Sequence, residues 1–380
     1  MNLLSAFKHH LKNKKKALFL CLPVVLGVII IYLLQMLIIS QYQIVDRTYV
    51  EPQKIYSSVA AKTRVIDDNT LSSIFSIKSD CERVIPWVSH YTYIETVIDN
   101  RIGSKVFTIK QEDMDWLIDK LNLKIKEGRL PKADTNEIIL HSVVAKNKNL
   151  GIGDRIGGSV QKNEALEGDM VVVGILEGES IVSFDSLEYW MNMNQVVSDD
   201  YSTGILIVPK EGKEIEINNF INKIDVQGLD VRTYAIVSLQ NKIDRKGIDI
   251  ILVTINIVVI IIITICMGFI SYIHMLQRRS EFGILSAIGY TSQNIFNQVF
   301  NEILLINMVG VTLGILMSVL IGLLLNLFIF IPVGLPLLLV KPDYMIEAVC
   351  VPLFACIFSL FPIWRIMEDL DPIAIIEGVN

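Results

Sequence analysis

The chain has 380 residues, 52% of them hydrophobic and only 19% charged, and its mean hydropathy is positive, a balance that points to a membrane protein. Its 34 Lys and Arg are outnumbered by 40 Asp and Glu, giving a net charge of −6. That charge excludes a polybasic surface for nucleic acid.

Residues 1–16 form a basic N-terminus with Lys8, Lys12, Lys14, Lys15 and Lys16 and no acidic residue. A first span follows at 17–40, where Ala17–Ile39 is charge-free and exceeds the roughly 20 residues needed to cross a bilayer as a helix. The positive-inside bias of the lysines makes the N-terminal side cytoplasmic. A cleaved signal peptide is the rival reading. It suits the residues less well, because the apolar run is too long and Ile38-Ile39-Ser40-Gln41 offers no small-x-small cleavage site.

Residues 41–247 then form an extracytoplasmic domain with 25 Lys and Arg against 31 Asp and Glu. Cys81 is its one cysteine, while Cys21, Cys266, Cys350 and Cys356 fall in expected spans, so a disulfide framework is not expected. Short Val- and Ile-rich runs at 105–110, 137–140, 170–176 and 204–208 read as strands, and 112–123 carries apolar residues at helical spacing. An α+β domain is expected. Gly151, Gly153 and Gly157 read as a turn, since the third glycine arrives one residue late for a dinucleotide fingerprint. Residues 233–247 place Ile236, Leu239, Gln240 and Ile243 on one helical face, which suits a rigid stalk or a surface helix packed on its own domain.

Further spans are expected at 248–276, 297–331 and 345–364, the last interrupted by Glu347, Pro352 and Pro362. Residues 277–294 form a charged and apolar cassette, 332–344 a short external loop and 365–380 a tail. Four spans bring both termini and the cassette to the cytoplasmic side. The fold class is therefore a multi-pass α-helical membrane protein with four transmembrane helices and a large α+β domain between the first two. Glu302 and Glu347 sit near span ends, where hydration is expected to satisfy them; Asn256, Asn307 and Asn326 can bond across helices. Gly310, Gly314, Ser318 and Gly322 recur every four residues, a small-residue seam for a helix of the same chain or of a second protomer.

No catalytic, cofactor-binding or metal-ligating pattern is present. The histidines at 9, 10, 90, 141 and 274 make no metal motif, and neither a Gly-x-Ser-x-Gly elbow nor a Gly-x-x-x-x-Gly-Lys-Ser/Thr loop occurs. ATP and Mg, if used, are bound by a partner.

In the cassette, Arg278 and Arg279 mark where the second span ends, and Ile284, Leu285 and Ile288 share a face of a short helix. Docking of a soluble partner and simple rest on lipid are both open for that face. The run Arg278 to Tyr290, with Glu302 and the Gly310/Gly314 span after it, resembles the signature of the FtsX/MacB-like family of ABC transporter permeases. The Glu127–Pro131 and Leu150–Asp154 turns, Val172–Ile175 and Asp371–Ala374 are also similar to family landmarks. The resemblance implies a bacterial cytoplasmic-membrane permease that dimerises, as homodimer or heterodimer, and works by mechanotransmission with a separate ATP-binding subunit. A peptide or accessory protein outside the membrane is a further implied partner; nucleic acid is not. It also implies an ATPase-coupling surface of Arg278, Arg279, Glu281, Phe282, Gly283, Ile284, Leu285, Ala287, Ile288 and Gly289.

Overall fold

The computed structural model describes residues 14–62, 65–97, 101–161, 164–194, 203–224, 227–342, 344–350, 352–353 and 357. In chain order the helices are α1 (Lys14–Val45), α2 (Asp68–Ser76), α3 (Gln111–Lys120), α4 (Ser142–Asn147), α5 (Leu187–Met193), α6 (Glu214–Ile221), α7 (Tyr234–Gln277), α8 (Arg279–Ala287) and α9 (Ser292–Leu325). The strands are β1 (Ser57–Ala61), β2 (Cys81–Pro86), β3 (Val88–Glu95), β4 (Arg101–Ile109), β5 (Lys124–Gly128), β6 (Glu137–His141), β7 (Arg155–Gly157), β8 (Asp169–Glu177), β9 (Ser183–Ser186), β10 (Gly204–Pro209) and β11 (Leu229–Arg232). The chain divides into two units, one of apolar helices and one formed by Ser40–Lys246 with Asn326–Pro336, the insert.

Among the described residues three helical runs are long and apolar enough to cross a membrane: Leu18–Gln53, Tyr234–Gln277 and Ser292–Phe330. The fourth expected span, 345–364, lies mostly outside the described residues, of which 344–350, 352–353 and 357 are helical. The N-terminal residues 1–13 and the tail 365–380 lie outside them as well.

In the helical unit, α1 buries Leu20, Val24, Gly27, Val28, Ile31, Gln35 and Met36, a stripe at three- and four-residue spacing. Its Leu22, Leu26 and Ile30 stay exposed. Against that stripe lie the small residues of α9, and the fit is close. A Cβ added at Gly310 would stand 3.0 Å from Val24 Cβ, at Gly314 2.7 Å from Val28 Cβ, and at Gly322 2.6 Å from the Met36 methyl. Ser318 is buried and donates to its own helix at Gly314 O, 2.7 Å. The seam open in the sequence is thus occupied by a helix of the same chain. The reverse device occurs at Gly27 of α1, where an added Cβ would overlap Ile263 of α7. Between lipid-facing helices apolar burial against water contributes little, so attraction comes from close contact, and glycine permits it.

The insert is α+β. β11-β1-β10-β2 form an antiparallel sheet, and β3-β4-β9-β6-β8-β5 a mixed one with β7 on β8, its parallel pairs being β4 with β9 and β6 with β8. Side chains alternate across a strand, so the smaller sheet is apolar on both faces. Val59, Ile205, Ile207 and Val231 face Ile74 of α2 and Ile217 and Ile221 of α6. Ala60, Ile85, Leu206 and Val208 face the main core of Phe107, Ile109, Ile139 and Phe184, closed by Met114, Leu117 and Ile118 of α3. The expected strand at 105–110 is longer than its sequence signal, because β4 pairs with β3 from Glu95↔Arg101 to Val88↔Thr108.

The seam yields a prediction. Gly314→Leu should lower the thermal midpoint of the detergent-purified protein by an amount corresponding to about 1–3 kcal/mol. Gly268→Leu, at a glycine with nothing within 4 Å of an added Cβ, should leave it unchanged.

Candidate coupling site

The turn chemistry of the cassette explains its shape. α7 stops at Gln277, Arg278 takes a non-helical ψ of 10°, and α8 begins at once. Gly289 ends α8 at φ +101°, with its N–H on Ser286 O (3.0 Å) and Tyr290 N–H on Leu285 O (3.1 Å). This is the paired closure that a left-handed glycine provides at a helix C-terminus. Thr291 then caps α9, its Oγ1 accepting from Asn294 N at 3.3 Å.

Arg278 is the hub. Its Nη1 donates to Glu302 Oε2 at 2.6 Å, its Nε to Glu281 Oε2 at 2.9 Å, and its guanidinium lies 5.0 Å from the Phe282 ring centroid. Gln298 Nε2 donates to the other Glu302 oxygen at 3.3 Å. Glu302 is only 3% exposed. The expectation that hydration satisfies Glu302 is therefore corrected: an arginine from the end of the preceding span does so. A buried ion pair of this kind holds position more than it adds net stability, since desolvation offsets much of its attraction.

The coupling surface expected from the sequence divides. Phe282 (1% exposed) and Gly283 are buried, so they support the cassette and cannot meet a partner. The physical reason is the helical period: 278 and 282 stack on one side of the turn, under the guanidinium. Ile284 (57%) and Ile288 (70%) are exposed, together with Glu281, Ala287, Gly289 and Tyr290, while Leu285 is half-buried. Arg279 opens α8, and its side chain lies outside the described set.

A second cluster lies in the insert, where the helical run Leu18–Gln53 ends and α7 begins. Gln53 donates to Arg232 O (2.9 Å) and Tyr56 O (3.1 Å) and accepts from Lys105 Nζ (3.2 Å). Lys105 also donates to Tyr56 OH at 3.1 Å and sits over the Tyr56 and Trp87 rings at 5.3 and 5.8 Å. Burial, and then the nearby Arg232 charge, push its ammonium down to about 7; Asp230 opposes weakly. Sequence reasoning missed Lys105, because a lysine between Ser104 and Val106 in a strand carries no sign of facing inward. Close by, Asn241 of α7 donates to Asp46 Oδ1 at 2.5 Å. The expected stalk residues Ile236, Leu239 and Ile243 are exposed, and Gln240 bonds Asp244 of its own helix at 2.9 Å. That face therefore does not pack on the insert. Among the described residues no group of three His, Cys, Asp or Glu is placed to hold a metal ion.

Helices long and apolar enough to cross a membrane, an α+β insert and a cassette rooted by a buried arginine make up the described chain. Residues 253–369 match the family model described as FtsX-like permease C-terminal, so that stretch is similar to FtsX-like permeases. A particular relative is a Staphylococcus haemolyticus protein named as a hemin transport system permease, HrtB. It is 25% identical over 304 residues, covering 77% of this chain and 80% of that protein. Among solved structures, the periplasmic region of MacB from Actinobacillus actinomycetemcomitans is 12% identical, covering 52% of this chain and 95% of that one with a TM-score of 0.30. The extracellular domain of the transporter YknZ from Gram-positive bacteria is 11% identical, covering 46% and 100%, with a TM-score of 0.27.

Lys105 gives a pH prediction. Between about 7 and its ordinary 10.5 the unfolded chain holds a proton that the folded one has released. Stability should then rise with pH across that window, by up to about 1.4 kcal/mol per unit, and be flat below it. Unfolding midpoints measured from pH 7 to 9 should climb for the wild type relative to Lys105→Met, which lacks this contribution.

Proposed function

We propose that this chain is the permease subunit of a bacterial ABC transporter, driven by a separate ATP-binding subunit that docks on the exposed face of α8. In this reading both termini and residues 277–294 are cytoplasmic, residues 41–247 are outside, and two permease protomers assemble in the cytoplasmic membrane. The observation that carries it is the pairing of an exposed apolar face, Ile284 and Ile288, with a buried root, Arg278 on Glu302. A helix so braced passes a push into the bundle instead of deforming. The absence of a P-loop in these residues supports an external source of work.

The work is mechanotransmission. Closure of the ATP-binding subunits tilts α8, and α7 carries the motion, because α1 and α7 are each shared by the two units. The cargo class is amphipathic: a peptide, lipopeptide or hydrophobic drug, exported or extracted from the membrane. The hemin named for the staphylococcal relative belongs to the same broad class. A second reading, favoured by that same sharing of helices, is a transmitter that moves no cargo and instead controls a cell-wall hydrolase or reports antimicrobial peptides.

Ile284→Glu and Ile288→Glu should each reduce co-purification with the ATP-binding protein and lower the ATPase activity of the complex by roughly tenfold, a loss of about 1.4 kcal/mol at the interface. The fold should be retained, because both side chains are already exposed. Undiminished assembly and activity in both variants would remove α8 as the docking element.

A further inference from the structure

The helical unit contains two carboxylates in strongly contrasting surroundings. Glu302 has Arg278. Glu347, two residues into the fourth expected span, has no basic partner among the described residues, and what it has instead is two amides. Gln35 Nε2 of α1 and Asn256 Nδ2 of α7 both donate to its Oε2, the latter at 2.9 Å. Its Oε1 accepts from no described donor.

The amides are themselves half-used. Gln35 is 98% buried, being 2% exposed, and its carbonyl oxygen has no hydrogen-bond partner among the described residues. Leaving such an acceptor unsatisfied costs on the scale of a lost hydrogen bond, so its retention asks for a donor from elsewhere. Gln35 is thus the buried member of the cluster, Asn256 is half-buried and Glu347 is exposed. Each supplies an oxygen without a described donor: Gln35 Oε1, Asn256 Oδ1 and Glu347 Oε1. Val253, Ile257 and Ile346, one to three positions from Asn256 or Glu347 in the chain, are exposed apolar residues. An oxygen-rich, negatively charged cluster beside exposed apolar side chains suits an organic cation that carries both N–H donors and a hydrocarbon part.

Depth is consistent with that class. Counted along their helices, Gln35, Asn256 and Glu347 lie within about 12 Å of the ends of their spans that adjoin the insert, at 1.5 Å per residue. Glu347, the one ionisable member, lies two residues, about 3 Å, from that end, at the level where an amphiphile carries its headgroup. The expectation that hydration alone satisfies Glu347 is replaced by a fixed geometry shared by three helices.

The geometry points to a recognition site for a primary ammonium group of an amphiphile, formed by Glu347, Gln35 and Asn256 in the half of the bilayer next to the insert. The proposal rests on the membrane-permease reading above, and it names the chemical class of that permease's cargo: a cationic amphiphile. Charge pairing with Glu347 supplies most of the attraction, and the two amide oxygens select N–H donors over quaternary ammonium groups.

The test uses the full chain in nanodiscs of phosphatidylcholine, with empty nanodiscs subtracted. The probes are dodecylammonium, dodecyltrimethylammonium and dodecanol, which share one tail. Binding by isothermal titration should favour dodecylammonium over dodecanol by about tenfold or more. Glu347→Gln, which keeps an acceptor for both amides, should abolish that preference while leaving dodecanol unchanged. Asn256→Leu, at a half-buried position, should weaken dodecylammonium several-fold and reduce its advantage over the trimethyl probe. Equal binding of all three probes to the wild type, or an intact preference in folded Glu347→Gln, would overturn the site. Discs containing phosphatidylethanolamine separate the sources of the amine. Unchanged dodecylammonium binding there supports a cargo, and competition by the lipid overturns the cargo assignment in favour of a headgroup. None of these readouts needs an ATP-binding partner, so failure of the coupling reading would leave them standing, and their failure would leave coupling standing.

Discussion

The Arg278–Glu302 pair is the constraint on which the cassette depends. A buried carboxylate at the eleventh residue of α9 must be neutralised or paired, and the guanidinium that pairs it comes from the residue just after α7. The same guanidinium holds Glu281 and covers Phe282, so four side chains, from the junction after α7, from α8 and from α9, share one centre. Removing the arginine leaves the Glu302 charge buried without a basic partner, which is why such pairs hold geometry firmly even when their net contribution is small. The contrast with Glu347 is instructive: one acidic side chain is satisfied by a cation within the chain, the other only by amide donors.

Close packing supplies the second half of the rigidity. Gly310, Gly314 and Gly322 accept Val24, Val28 and Met36 of α1, and Gly27 of α1 accepts Ile263 of α7. Small residues on one helix and branched or long ones on the other give an interlock that dispersion alone can hold, and dispersion is what remains between helices in lipid.

What could be read from the chain, and what could not, follows from the range of the interactions. The three long apolar helices, the small-residue stripe and the cores of strands such as β8 and β10 are written in local periodicity, and the turn that ends α8 is written in Gly289 itself. Partnerships between residues far apart in the chain leave no such trace. Glu302 looked like a residue of the water interface because nothing in its own helix announces Arg278. Lys105 looked like any exposed lysine in a half-polar strand until β4 proved to be covered on both faces. Phe282 and Gly283 belong to a motif that reads as one docking surface, and only the period of α8 separates the residues that anchor it from those that face outward.

The central claim, that Arg278 and Glu302 act as a unit in fixing the cassette to the bundle, is tested most directly by a double-mutant cycle on unfolding in detergent. Arg278→Met should destabilise the protein by about 3–5 kcal/mol, because it strands the buried Glu302 charge, and Glu302→Leu by less, because Arg278 keeps Glu281. The double variant, which removes both charges, should return to within about 1 kcal/mol of the wild type. Additive losses in the double variant, or single variants as stable as the wild type, would contradict the account.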